Sequence, residues 1–288
     1  MRTAFTAARD FLRREARVLE QRMFAACFEG APPQGPLAAL SAYRNGDGGF
    51  GHGLEPDKLN PESLPIDDQV ALQVMDDLGV VDDVVVAGIC DHLMAVSVDG
   101  AVALAGPVIE GYPRAEHWGE WAYEPALNPT AGLAGLLHHH GVDHPWRTAA
   151  TTWCWSALDA GPPTDGHALG NVLVFLEHVD DRDRADELAG TVGTRLDAVD
   201  HLRLDPKDPA YGVTPLHYAP TPDSQWRGLF DDDMIDGHLD RLERDQQDDG
   251  GWALTWQPPS VASTLAYRGV VTLWALRVLH AYGRIDTI

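Results

Sequence analysis

Gln246-Gln247-Asp248-Asp249-Gly250-Gly251-Trp252, and at the other end of the chain Asn45-Gly46-Asp47-Gly48-Gly49-Phe50-Gly51, are the two stretches whose reading decides the fold. Each follows a block of helical periodicity. Each then runs into a proline-bearing loop, Gln257-Pro258-Pro259 in one copy and Glu55-Pro56-Asp57 in the other, before a further helical block. The repeated unit is helix, Asp-Gly-Gly-aromatic turn, proline loop, helix. Glycine permits the left-handed turn that ends a helix, aspartate caps freed amides, and the aromatic packs between neighbouring hairpins. Two copies are fewer than a regular repeat array needs, so the remaining hairpins must have diverged.

Working outward, helical periodicity dominates. Ala4, Ala8, Phe11, Leu12, Val18, Leu19, Phe24 and Cys27 recur at close to 3.6 residues, which predicts one long amphipathic helix over 4–28. Similar blocks occupy 37–43, 67–78, 82–96, 129–140, 146–158, 168–178, 184–199, 232–247 and 264–282. Val84-Val85-Val86 is the one strong β-branched run, and it lies between helical neighbours. Asn128-Pro129, Asp143-His144-Pro145 and Asp165-Gly166-His167 read as helix entries. The loops at 79–82, 141–145 and 161–165 are tight; those at 46–66, 99–128, 200–229 and 248–263 are long and rich in Gly, Pro and aromatics. Loops of that length usually carry function or pack by their own side chains. No composition break marks a boundary, so a single all-α domain over 1–288 is expected.

Charge narrows the function. The 288 residues hold 21 Lys plus Arg against 44 Asp plus Glu, a formal net charge of -23 with a pI near 4.7. Such a field repels polyphosphate and anionic lipid, so neither nucleic acid nor a membrane surface is an expected partner. No apolar run reaches the ~20 residues of a membrane helix. The N-terminus lacks the apolar core of a secretory signal, and a cytoplasmic location is expected. Cys27, Cys90 and Cys154 are far apart and form no CxxC pair; each reads as a small buried hydrophobe.

Gln246 to Trp252 resembles the QW motif of squalene-hopene cyclase-type terpene cyclases, and Asp47-Gly48-Gly49-Phe50-Gly51 resembles the glycine-rich turns of protein prenyltransferase β subunits. Through 47–57, 127–131 and 249–284 the chain is similar to small bacterial toroids of that superfamily. The resemblance implies an (α/α) toroid or barrel of five or six helical hairpins around a central cavity. Its chemistry does not transfer directly. No Asp-x-Asp-Asp acid occurs, the nearest being Pro65-Ile66-Asp67-Asp68, and no cysteine has the Asp-x-Cys setting of the prenyltransferase zinc site. Asp232, Asp233 and Asp236 match the Asp-Asp-x-x-Asp magnesium motif of class I terpene synthases. They also lie where a first helical turn favours acids, and that reading is adopted, with no metal or cofactor expected.

In a toroid the loops entering inner helices would rim the cavity. Glu55 and Asp57 are the candidate acid or base, with His52 as partner, because a carboxylate beside an imidazole is tuned by burial. Trp118, Trp121 and Trp256 would form an apolar wall. His117, Tyr123 and Glu124 interleave with the first two of these, and Asn128 closes that segment. His167 shares a helical face with Asn171, after an Asp165 cap. Arg268 would anchor a substrate anion. His138-His139-His140 reads as a helix C-terminus, since consecutive helical residues diverge by ~100° and are not expected to converge on one ion. The leading expectation is a terpene-cyclase-like enzyme acting on a hydrophobic, isoprenoid-like small molecule by carboxylate acid–base chemistry. A carbohydrate-active (α/α) barrel, glycosidase or lyase, and a noncatalytic toroid scaffold are the alternatives. The acidic charge disfavours a diphosphate and favours neutral or cationic substrates.

Overall fold

The computed structural model describes residues 3–119 and 123–287, and among them the chain is all-helical, with twelve α-helices and no named strand. They are α1 (Ala4–Glu15), α2 (Val18–Glu29), α3 (Gln34–Leu40), α4 (Pro65–Asp77), α5 (Asp83–Val96), α6 (Leu127–His139), α7 (Pro145–Leu158), α8 (Gly166–His178), α9 (Arg182–Gly193), α10 (Pro215–Tyr218), α11 (Asp232–Arg244) and α12 (Val261–Ala281). The Val84-Val85-Val86 run is helical, within α5. None of these helices is long and apolar enough to cross a membrane.

The chain divides into two compact units. One is Tyr43–Leu202; the other joins the two ends, Met1–Ala42 and Arg203–Ile288. Each unit holds one Asp-Gly-Gly turn, and the two turns share one construction. In the first, Asn45 N–H donates to Gly49 O at 2.9 Å and Gly49 N–H donates to Asp47 Oδ1 at 3.0 Å. In the second, Gln247 N–H donates to Gly251 O at 2.8 Å and Gly251 N–H to Asp249 Oδ1 at 3.0 Å. The aromatic that follows donates its backbone N–H to a side chain on the next long helix: Phe50 to Asp68 at 2.8 Å, Trp252 to Thr272 at 3.2 Å. Gly48 and Gly250 carry the left-handed angle, φ +94° and +98°, and each lies against helix backbone, at Gly88 of α5 and Ala7 of α1. A Cβ at either would collide.

In the unit built from the chain ends, the single helix expected over 4–28 is instead two. Ala16 and Arg17 are extended (ψ 160° and 162°), and the corner folds α2 back so that Phe5, Phe24 and Phe28 cluster with ring centroids 5.2–5.7 Å apart. Burial at the corner drives this: Ala16 is buried against Gly269 of α12. Cys90 and Cys154 are buried as expected, with burial pushing both thiols up to about 12, but Cys27 lies exposed on α2.

In the unit 43–202, α4, α6 and α8 run side by side in the same direction. Their N-terminal turns meet through Gln69, Gly132 and Asn171, and their C-terminal turns through Asp76, His139 and His178. Gly132 and Gly135 make the close approach of α6 and α8 possible, since a Cβ at Gly135 would overlap the α8 backbone at Val174 and Phe175. The loop 44–64 and the described residues 123–126 enter α4 and α6 at the N-terminal end of this layer. The candidate residues of this unit are carried there.

Candidate functional site

The first two carboxylates of α4 do more than complement its dipole. Asp67 and Asp68 are fully buried, and each ties the preceding loop to the helix. Asp67 Oδ1 accepts from Glu55 N–H at 2.7 Å, and its Oδ2 accepts from Lys58 Nζ at 2.6 Å. Asp68 accepts from Phe50 N–H at 2.8 Å and faces His92 Nδ1 at 2.6 Å. Lys58 is itself wholly buried, so this ion pair is enclosed on both sides.

Glu55 and Asp57 close the cluster. Glu55 Oε2 accepts from Asp57 N–H at 3.2 Å and lies 3.8 Å from Lys58 Nζ. Glu55 is 6% exposed and Asp57 2%. Two carboxylates, Asp67 and Glu55, thus face one ammonium, and Asp57 adds a third acid beside Glu55. Burial, reinforced by the charges of Asp57 and Asp67 against the opposing pull of Lys58 and the Asp57 N–H, pushes Glu55 up to about 7. Burial likewise raises Asp68 to about 6, against the hydrogen bond and charge of His92. Burial would lower His92, yet its hydrogen bond to Asp68 and that carboxylate's charge outweigh it and raise the imidazole.

The second long loop lies across the first. Ala115 N–H donates to Asp57 O at 2.8 Å, and Leu59 N–H to Pro113 O at 3.0 Å. This pairing brings His117 Nε2 to 3.8 Å from Asp57 Oδ2 and leaves the imidazole side chain 41% exposed. Trp118 is buried among Leu64, Leu104, Ala105, Ile109 and Ala115, with Lys58 Nζ 5.9 Å from its ring. Tyr112, Pro113, Arg114, Ala115, Glu116 and Gly119 line an open groove of about 330 Å³ on the same segment. His52 points elsewhere. Its backbone is left-handed (φ +55°), its ring is exposed, and Nε2 bonds Asn45 Oδ1 at 2.8 Å. The imidazole beside the carboxylates is His117. Trp121 lies outside the described residues.

Beside this cluster three amides from three helices meet. Gln69 Nε2 donates to Asn171 Oδ1 at 2.5 Å, and Asn171 Nδ2 donates to Asn128 Oδ1 at 3.2 Å and to His167 O at 2.9 Å. Asn128 stays extended (φ −96°, ψ 112°), so the regular helix begins at Pro129. Burial lowers the His167 imidazole, and its ring centroid is 6.4 Å from that of His201, which contacts Asp165 at 2.8 Å.

The other candidates belong to the second unit and have partners of their own. Arg268 makes two 2.8 Å bonds to Asp249, donates to Trp252 O at 3.0 Å and stacks 4.6 Å over Phe11. It clamps the Asp-Gly-Gly turn, and its hydrogen bonds hold Asp249 below the usual carboxylate range. Trp256 packs edge-on between Tyr211 and Tyr267, at 5.7 and 4.8 Å. Asp232 pairs with Arg227, and Asp236 with Arg284, which also holds Asp240 and Glu243. Asp232 and Asp236 are thus each paired with an arginine, and Asp233 is exposed.

Lys58, Gln69 and His92 belong to the cluster and were not among the sequence candidates. A signal existed for Lys58, one of two lysines in the chain, set beside Glu55 and Asp57. Gln69 and His92 fall on helical stripes and carry none. No protein-family model matches the chain, and no curated protein matches it either.

Proposed function

We propose that the chain is a small-molecule enzyme of the terpene-cyclase-like (α/α) toroid kind, working by general acid–base catalysis at the Glu55–Asp57–His117 cluster. The observation that carries this reading is the Glu55 carboxyl, buried beside two further carboxylates and pushed up to about 7. A group with that pKa is divided between its acid and base forms at neutral pH, the condition under which proton transfer is most effective. Such an acid is too weak to protonate an isolated alkene and suits a substrate carrying a heteroatom, such as an isoprenoid alcohol, epoxide or enone. His117, half exposed beside Asp57, would relay protons to solvent. The amides of Gln69, Asn128 and Asn171 would orient a polar substrate group. The toroid is supported by the alternation of α4, α6 and α8 with the connecting α5 and α7.

The test is turnover of a panel of neutral isoprenoid alcohols, epoxides and enones, followed by mass spectrometry. Glu55→Gln should lose about 10²–10⁴-fold in rate, with the thermal midpoint unchanged or raised. Full activity in both Glu55→Gln and Asp57→Asn would overturn the assignment.

A noncatalytic scaffold is the second reading, favoured by the complete burial of Lys58, Asp67 and Asp68. Those charges hold a loop to a helix whether or not chemistry follows. On this reading Glu55→Gln changes stability alone, and no member of the panel is converted.

A further inference from the structure

At the opposite end of α4, α6 and α8 from the acid–base cluster, three helix C-termini converge and present Asp76, His139, His140 and His178. One oxygen of Asp76, Oδ1, lies 3.1 Å from His140 Nε2 and 3.5 Å from His139 Nε2. One ligand atom from each of Asp76, His139 and His140 falls within 4.8 Å of the others. We propose that Asp76, His139 and His140 bind a divalent transition-metal ion, Zn²⁺ by the character of the donors.

The separations from Asp76 fit. Zinc bonds imidazole nitrogen and carboxylate oxygen at about 2.0–2.2 Å, which places tetrahedral ligand atoms roughly 3.3–3.5 Å apart. The two Asp76 distances, 3.1 and 3.5 Å, lie within about 0.2 Å of that range. His140 Nε2 is buried, lies 3.1 Å from Asp76 Oδ1 and meets no acceptor in good hydrogen-bond geometry. The His178 ring packs against that of His139, with centroids 4.2 Å apart. The setting adds to the attraction, since three helix C-termini bring the negative ends of their dipoles and their last carbonyls to one place. Imidazole with carboxylate suits zinc and its neighbours better than magnesium, which prefers an all-oxygen shell. Three protein ligands leave a position for water or a fourth donor.

The expectation that consecutive histidines diverge fails here for a local reason. His139 is the last residue of α6 and His140 has left the helix (φ −85°, ψ 3°), so both rings turn to the same carboxylate. His138, still inside the helix, points away and bonds Thr151 at 2.8 Å.

The site stands apart from the acid–base reading and is tested without it. The full chain, stripped with a chelator, is titrated with ZnCl₂ by calorimetry and with Co²⁺ by visible absorption. The expected result is one ion per chain with a Kd of about 1 μM or tighter, and a tetrahedral Co²⁺ spectrum. At a hundredfold excess over Kd the thermal midpoint should rise by about 5–10 °C. His139→Asn and Asp76→Asn, both at partly exposed positions, should each weaken binding by more than the roughly 10–100-fold lost with an outer-shell partner. The chain carries 13 histidines, so the variants identify the site. Absence of saturable binding up to millimolar Zn²⁺, or unchanged affinity in both variants with native circular dichroism, overturns the proposal. If one variant fails to fold, the other decides.

Discussion

Lys58 is the residue on which the acidic loop depends. Its ammonium is enclosed with Asp67 and lies near Glu55, so its removal leaves carboxylates buried without a countercharge. Lys58→Met should destabilise the fold by about 3–5 kcal/mol in urea titrations, while a double replacement of Lys58 and Asp67 by apolar residues of similar volume should recover most of that loss. Glu55 acts in the opposite sense. It holds its proton more tightly in the folded chain than in the unfolded one, where its pKa is near 4.5. The stability it lends is whole below about pH 4.5 and is lost as pH rises through about 7. Asp68 loses its share between 3.8 and about 6, and His92, also raised, loses its share above 6.5. All three slope the same way, so stability should be greatest in mild acid. Glu55→Gln should remove its part of the slope, on the order of 3 kcal/mol at pH 8, in paired denaturation curves at pH 5 and pH 8. A variant with the wild-type slope would exclude Glu55 as the titrating group.

Among the elements, the two Asp-Gly-Gly turns show how a local motif acquires a tertiary role. The glycine spacing and the capping aspartate were legible, because turn geometry depends on neighbours in the chain. The partner of each turn was not: Gly48 meets α5 and Gly250 meets α1 through contacts distant in sequence. Gly250→Ala combines a left-handed φ with a collision against the Ala7 backbone, so a loss of at least about 1–3 kcal/mol is expected by thermal unfolding. Gly46→Ala, in the same kind of loop but with open space around it, should change stability by less than about 1 kcal/mol. Equal losses at both positions would mean that the close approach is not what the glycine serves. The corner at Ala16-Arg17 is the contrasting case. Neither residue breaks a helix, so periodicity ran straight through it, and the bend comes from packing on α12 that no window of sequence contains.

For the whole molecule, charge is the dominant property. At -23 the folded chain repels itself, and the arginines are drawn into local pairs such as Arg284 with Asp236, Asp240 and Glu243. Raising NaCl from 0.05 to 0.5 M should therefore raise the thermal midpoint by a few degrees, because the Debye length shortens while the exposed pairs contribute little. A midpoint that falls with salt would show that the ion pairs outweigh the repulsion.

The sequence by itself determined the helical class, most helix boundaries to within a few residues, the paired Asp-Gly-Gly turns and the loop that carries Glu55 and Asp57. These follow from periodicity, capping and turn chemistry, which act over one or two turns of chain. Only the tertiary structure decided which groups meet. It set His117 rather than His52 beside Asp57, buried Lys58 against Asp67, joined Gln69 to Asn171, gave Arg268 to a turn, and turned His139 and His140 onto Asp76. Most of those are relations between residues far apart in the chain, and burial gives them their chemical weight: the same carboxylate that titrates near 4.5 in water is held near 7 where burial outweighs the pull of Lys58.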